Sequence, residues 1–320
     1  MICFWSMNRF TLKLVAAIFF FVIPLVYATL SFAAGDSLGE RVHQQFESGH
    51  VPEGVALLRQ EAAHGNPEAQ YGLGILYEKG NSEAKIPQDK TQAFHWYSMA
   101  AEKNHAPSQN NLGYLYYTGQ GTSQSYSNAL QWYEKAAQQG DAMGQYNLGT
   151  LYYRGLGVPN DFQKAFALYE QAAQKGNTTA ENNVGFMYEH GLGVARDFRK
   201  AIQWYKQAAK GGHPYAQRNL AEMYEHGLGT HRDYSESLSW YKKAAAKGHA
   251  HAQMKLGMLY QQGLGTSRDL VEAYAWYWTA SEAGNEKAKK ALTLLEQQLT
   301  PAQVAEAHQR ASHFVIQKAP

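Results

Sequence analysis

Four rings and three carboxylates recur at matching places in this chain, two or five residues past an apolar residue that usually precedes glycine. They are Tyr114, Tyr117, Tyr153 and Phe186, then Glu189, Glu222 and Glu225. Tyr146 and Arg154 hold neighbouring places, two before and six after that apolar residue. At helical spacing all of these lie opposite the apolar stripe. A solvated face has no packing reason to hold several rings, and aromatic anchors dominate the energetics of recognition, so the rings point to capture of another chain. The carboxylates would then select a basic feature of what is captured. His190 and His226 stand beside Glu189 and Glu225, and ring protonation in acid would change the charge at that end.

Other chemistries find little support. The single cysteine, Cys3, precedes a long apolar run, so the chain beyond that run has no thiol, disulfide or thiolate metal site. His249 and His251 are two apart and point to different sides of a helix, and no His-Glu-x-x-His occurs. Glu222 and Glu225 share a helix face, but neither Ser-x-x-Lys in a fitting context nor a nucleophile elbow accompanies them. No catalytic residue, metal or cofactor is expected. Setting aside Arg9 and Lys13 leaves 27 basic residues against 27 acidic ones, which argues against nucleic acid as the partner, because phosphate binding needs a basic stripe.

The elements that must position these residues are short helices written six times. The apolar dipeptide recurs as Leu73-Gly74, Leu112-Gly113, Leu148-Gly149, Val184-Gly185, Leu220-Ala221 and Leu256-Gly257, in steps of 39 and then 36 residues. One copy, from Asn147 to Asn177, reads NLGTLYYRGLGVPNDFQKAFALYEQAAQKGN. Leu148, Leu151 and Tyr152 share a face of its first helix, and Gly149 lets a neighbouring helix come close. Glycine pairs such as Gly155-Leu156-Gly157 and Gly191-Leu192-Gly193 suit a left-handed cap and a tight turn; they lack the lysine and preceding strand of a phosphate loop. The second helix opens at Asp89, Ser125, Asp161, Asp197, Asp233 and Asp269, all good N-cap types. It carries Trp-Tyr or Leu-Tyr and closes on paired alanines, large rings against small gaps. Units of this kind cannot bury their apolar faces singly and must stack.

The Leu-Gly, the tyrosine, the Gly-x-Gly turn, the aspartate, the Lys-Ala and the Ala-Ala close together resemble the Sel1-like repeat, a relative of the tetratricopeptide repeats. The resemblance implies an all-α, right-handed α/α superhelical solenoid of helix-turn-helix repeats, whose first helices line the concave side. Six repeats are assigned to residues 67–285, capping helices to 34–66 and 286–320, and a signal peptide to 1–33. Repeat one has three extra residues in its turn, and Ser125 replaces the usual aspartate in repeat two. In the related tetratricopeptide repeats an asparagine just before the dipeptide can bind a ligand's backbone amide. Asn111, Asn147, Asn183 and Asn219 stand there, and bonding between neighbouring units is the other reading.

The leader expectation rests on Arg9 and Lys13, an apolar run from Leu14 to Leu30, and the small-residue site Ser31-Phe32-Ala33. Cleavage is expected after Ala33, giving a periplasmic or secreted protein; the alternative is an uncleaved anchor, the chain's one contact with membrane. The resulting expectation is an exported scaffold that binds a protein or extended peptide on the first-helix surface, in envelope regulation or host contact. The competing class, implied by cysteine-rich Sel1-like relatives, is a hydrolase acting on β-lactams or peptidoglycan; this chain lacks their cysteine pairs.

Overall fold

The computed structural model describes residues 37–316, which form two compact units dividing after Asn160. The export-signal expectation falls on residues 1–33, outside the described residues. The first unit holds α1 (Leu38–Glu47), α2 (Val51–Ala63), α3 (Pro67–Lys79), α4 (Lys90–Glu102), α5 (Ala106–Thr118), α6 (Tyr126–Gln138) and α7 (Ala142–Arg154). The second holds α8 (Phe162–Gln174), α9 (Thr178–His190), α10 (Phe198–Lys210), α11 (Pro214–His226), α12 (Tyr234–Ala246), α13 (Ala250–Gln262), α14 (Leu270–Glu282), α15 (Glu286–Glu296) and α16 (Pro301–Ile316). Among the described residues the regular structure is helical, as an α/α solenoid requires. One antiparallel bridge between Asn81 and Ile86 folds the three extra residues of repeat one into a hairpin-like turn and buries Ile86.

Each helix begins and ends for a local reason. Asp89, Asp161, Asp197, Asp233 and Asp269, with Ser125, accept hydrogen bonds from first-turn amides of the second helices. The first helices are capped by a more mixed set: Asn66, Asp141 and Asn177 through side-chain oxygens, and His105, His213 and His249 through Nδ1. They close on Gly119, Gly155, Gly191, Gly227 and Gly263 in the left-handed region, where a side chain would be strained. The second glycine of each pair answers a different need. At Gly193, with φ +68°, a Cβ would lie 2.2 Å from the Phe162 carbonyl oxygen, so the backbone itself leaves no room.

Within the first unit α3 pairs with α4 and α5 with α6, while α2 packs on α3, α4 on α5 and α6 on α7. In the second, α9 pairs with α10, α11 with α12 and α13 with α14, and α14 is covered by α15 and α16. The pairing explains the repeated glycine. A Cβ on Gly74, Gly113, Gly185 or Gly257 would stand 2.4–2.7 Å from Cδ1 of Tyr97, Tyr133, Tyr205 or Tyr277, so the glycine seats the ring of its own repeat's second helix. These tyrosines are buried, as are Leu73, Leu112, Val184 and Leu256, which precede the four glycines. Repeats are also joined by a buried glutamine: the Nε2 of Gln70, Gln109, Gln217 and Gln253 donates to the carbonyl of Ala62, Ala101, Ala209 and Ala245 at the end of the preceding helix. That bond is a second one to a carbonyl that already accepts a backbone amide of the following turn, as from Gly65 to Ala62 and from Gly212 to Ala209.

Candidate functional site

The exposed rings of the first unit meet in one place. α5 presents Tyr114 and Tyr117, α7 presents Tyr146, Asn147, Thr150 and Arg154, and Tyr133 of α6 closes the base, around a cavity of about 190 Å³. α6 sets the geometry, because it packs on both α5 and α7 and holds their first-helix faces side by side. Tyr114 is 42% exposed, a large ring left to solvent. Tyr117 is held by three neighbours. Its ring lies 5.5 Å from that of Tyr126, its carbonyl accepts from Gln124 Nε2 at 2.8 Å, and its hydroxyl accepts from Arg154 Nη1 at 3.4 Å. Thr150 Oγ1 donates to the Tyr146 carbonyl at 3.0 Å. Burial, and then the nearby phenols of Tyr117 and Tyr114, hold the Tyr133 hydroxyl protonated far into alkali. The wall is thus aromatic and rich in neutral and cationic donors, with no acid among the lining residues.

The asparagine row divides by neighbour. Asn147 Nδ2 donates to Asn110 Oδ1 at 2.8 Å and Asn219 Nδ2 donates to Asn182 Oδ1 at 3.0 Å, each across to the preceding repeat. Asn111 and Asn183 accept from their chain neighbours Asn110 and Asn182. Asn219 is only 8% exposed and its bond joins adjacent repeats. Asn147 does this too, yet still borders the cavity.

The carboxylates depart from the sequence expectation. Glu189 Oε2 accepts from the Tyr205 hydroxyl at 2.6 Å. Glu225 is 7% exposed; it accepts from the Tyr241 hydroxyl at 2.6 Å and pairs with Lys255 at 2.8 Å. Glu222 pairs with Arg218 at 2.8 Å and His251 at 3.2 Å. None of the three is an unengaged acid awaiting a basic partner. For Glu189 and Glu225 the reason is geometric: the place five residues past the apolar residue turns toward the second helix of the same repeat, whose tyrosine donates to it. A single-helix projection assigns it to solvent.

Two further sequence candidates stand apart from the cavity. Tyr153 is half-buried, with its carbonyl accepting from Asn160 Nδ2, and does not line it. Phe186, in the second unit, stacks on His190 with centroids 4.1 Å apart. Tyr133 is the lining residue that sequence reasoning assigned to the core alone. The available signal was the acceptor place itself, which reads Glu78, Tyr117, Tyr153, Glu189, Glu225 and Gln261 along the repeats. Among the described residues no group of three or more histidines, cysteines or acids is placed to hold a metal ion, and no helix is long and apolar enough to cross a membrane.

The family model described as Sel1 repeat matches six consecutive segments, 67–105, 106–141, 142–177, 178–213, 214–249 and 250–285. The chain belongs to the Sel1 repeat family. Among solved structures it is similar to a Sel1 repeat protein from Oxalobacter formigenes, at 31% identity and a TM-score of 0.68, covering 77% of this chain and 97% of that one. It is also similar to c5321 of Escherichia coli, described as a protective antigen present in uropathogenic strains and displaying an SLR fold. There the identity is 27% and the TM-score 0.52, over 86% of this chain and 75% of that one. No curated protein matches the chain. The Sel1 repeat accounts for the cavity's position: the first helices, or helices A, of repeats two and three supply its two sides and the second helix, or helix B, of repeat two its base.

Proposed function

We propose that this Sel1 repeat protein is an exported scaffold, not an enzyme, which captures a protein or extended peptide on the helix A face of its first unit. The observation that carries the reading is the cavity between α5 and α7, where Tyr114, Tyr117 and Tyr146 converge beside Arg154 without acidic residues. A solvent-facing ring such as Tyr114 contributes little to the fold, whereas on capture it loses its water and fills a partner's gap. The backbone amides and carbonyls of an extended segment would find Asn147 at the rim. Antigen status of the Escherichia coli relative supports a site of action outside the cell, which agrees with the leader pattern of residues 1–33. The surface would then meet a partner in the envelope or at a host cell.

Crosslinking and capture from an envelope extract and from host-cell surface protein tests this, using the native chain beside its Tyr114→Ala, Tyr146→Ala variant. Loss of the two rings should weaken capture by about 1–2 kcal/mol per ring while helicity stays unchanged. A partner held equally by both proteins would move the binding face elsewhere.

A further inference from the structure

Four repeats share an internal contact that repeat two lacks. In repeats one, four, five and six the tyrosine of helix B donates its hydroxyl to an acceptor five residues past the Leu-Gly head: Tyr97 to Glu78 at 2.7 Å, Tyr205 to Glu189 at 2.6 Å, Tyr241 to Glu225 at 2.6 Å and Tyr277 to Gln261 at 2.8 Å. Three acceptors are carboxylates and the fourth is the planar oxygen of an amide. In repeat two this place belongs to Tyr117, whose hydroxyl accepts from Arg154 at 3.4 Å. Tyr133, the helix B tyrosine, is seated as its counterparts are, against Gly113 and 2% exposed. Among the described residues its hydroxyl makes no hydrogen bond to a side chain, and it lines the cavity without being sealed in the core. A phenol that opens on a cavity can give its proton to water or to whatever fills the space.

Arg154 stands on the opposite wall, and among the described residues no carboxylate lies within ion-pair distance of it. Its bond to Tyr117 is long and uses one of five donors. The cavity therefore presents a phenolic donor and a solvent-exposed guanidinium without an acidic partner, in a space where three sister repeats place a glutamate.

We propose that this cavity takes the carboxylate of a bound peptide, which accepts from the Tyr133 hydroxyl and the Arg154 guanidinium in the role that glutamate plays in the sister repeats. The inference rests on the reading that this face captures a peptide, and it names the chemistry that fixes the peptide's register. The carboxylate can come from an aspartate or glutamate side chain or from a free chain terminus. Guanidinium and phenol bonds to a carboxylate are charge-assisted and strengthen as the entering peptide displaces water.

The test offers three random hexapeptide libraries to the full chain: amidated peptides free of Asp and Glu, the same peptides with a free carboxyl terminus, and amidated peptides containing one Asp or Glu. Retained peptides are counted by mass spectrometry. One or both acid-bearing libraries should be retained about tenfold or more over the acid-free one, and which of the two it is identifies the source. Arg154→Gln should reduce that retention about tenfold and Tyr133→Phe several-fold, with the ring still seated against Gly113. Tyr117→Glu restores the sister repeats' acceptor: it should raise the melting temperature and abolish retention, because the internal carboxylate now fills the place. Equal retention of the acid-free library, lost in Tyr114→Ala, would overturn the carboxylate and leave peptide capture standing. Retention of nothing, or of the same peptides by every variant, would overturn both. A Tyr117→Glu protein that still selects acids would also refute the proposal.

Discussion

Glu181 stands where the other five repeats carry glutamine. It is 3% exposed and accepts from Gln207 Nε2 at 2.7 Å, but its second oxygen has no partner. Burial raises its pKa above the ordinary 4.5, against the lowering effect of Gln207. The folded state therefore holds a proton that the unfolded chain has released, and stability falls as pH rises from about 4.5 through the raised value. Glu181→Gln should remove this penalty and let Nε2 reach the Ala173 carbonyl, as Gln217 reaches Ala209. We expect a gain of about 1 kcal/mol in urea unfolding at pH 7, shrinking toward pH 4. A loss of stability at pH 7 would show that the carboxylate is held for another reason. At this scale the sequence was partly legible. The rings at 114, 117 and 146 were visible because exposed tyrosine breaks the amphipathic pattern; the engagement of Glu189 and Glu225 was not, because it depends on a tyrosine sixteen residues further on.

Helix boundaries were the most readable feature, since a cap needs only its own residue and the next three. The aspartates at 161, 197, 233 and 269 and the glycines at 155, 191, 227 and 263 act as their residue types require. The histidine caps were not read from the sequence. His213 and His249 accept through Nδ1, which only the neutral ring can do. Burial lowers both pKa values; Lys247 adds to this at His213, and Arg218 followed by His251 at His249, where Glu222 opposes. A depressed folded pKa means that the unfolded chain binds protons first, so this stability is present above about pH 6.5 and lost as pH falls toward the folded values. Each cap is worth about 1 kcal/mol. His213→Asn with His249→Asn, the residue type that caps at Asn66 and Asn177, should flatten thermal stability between pH 7 and 5. An unchanged acid slope in that variant would place the sensitivity elsewhere.

At the scale of the whole molecule, α16 packs on α14, the second helix of the sixth repeat. Phe314 stacks on Trp276 with centroids 3.8 Å apart, His308 meets the edge of Trp278, and Arg310 holds Asp269 and Glu272, each at 2.9 Å. Ending the chain after Gln298 should uncover the Trp276 and Tyr274 face, lower the melting temperature and produce concentration-dependent association in light scattering. A monomer of unchanged stability would show that α16 is dispensable to the stack.

The sequence by itself determined the helical class, the 36-residue period, the second-helix and glycine caps and the family, because all of these are local and recur along the repeats. Repetition makes a weak signal readable. Only the tertiary structure decided which polar groups are already spent. Glu189, Glu225 and Asn219 bond inside the stack, whereas Tyr133 and Arg154 face a cavity without an acid to receive them. A hydrogen bond joins two residues on different helices, and whether a donor finds its acceptor depends on how those helices pack, which no single helix's pattern contains.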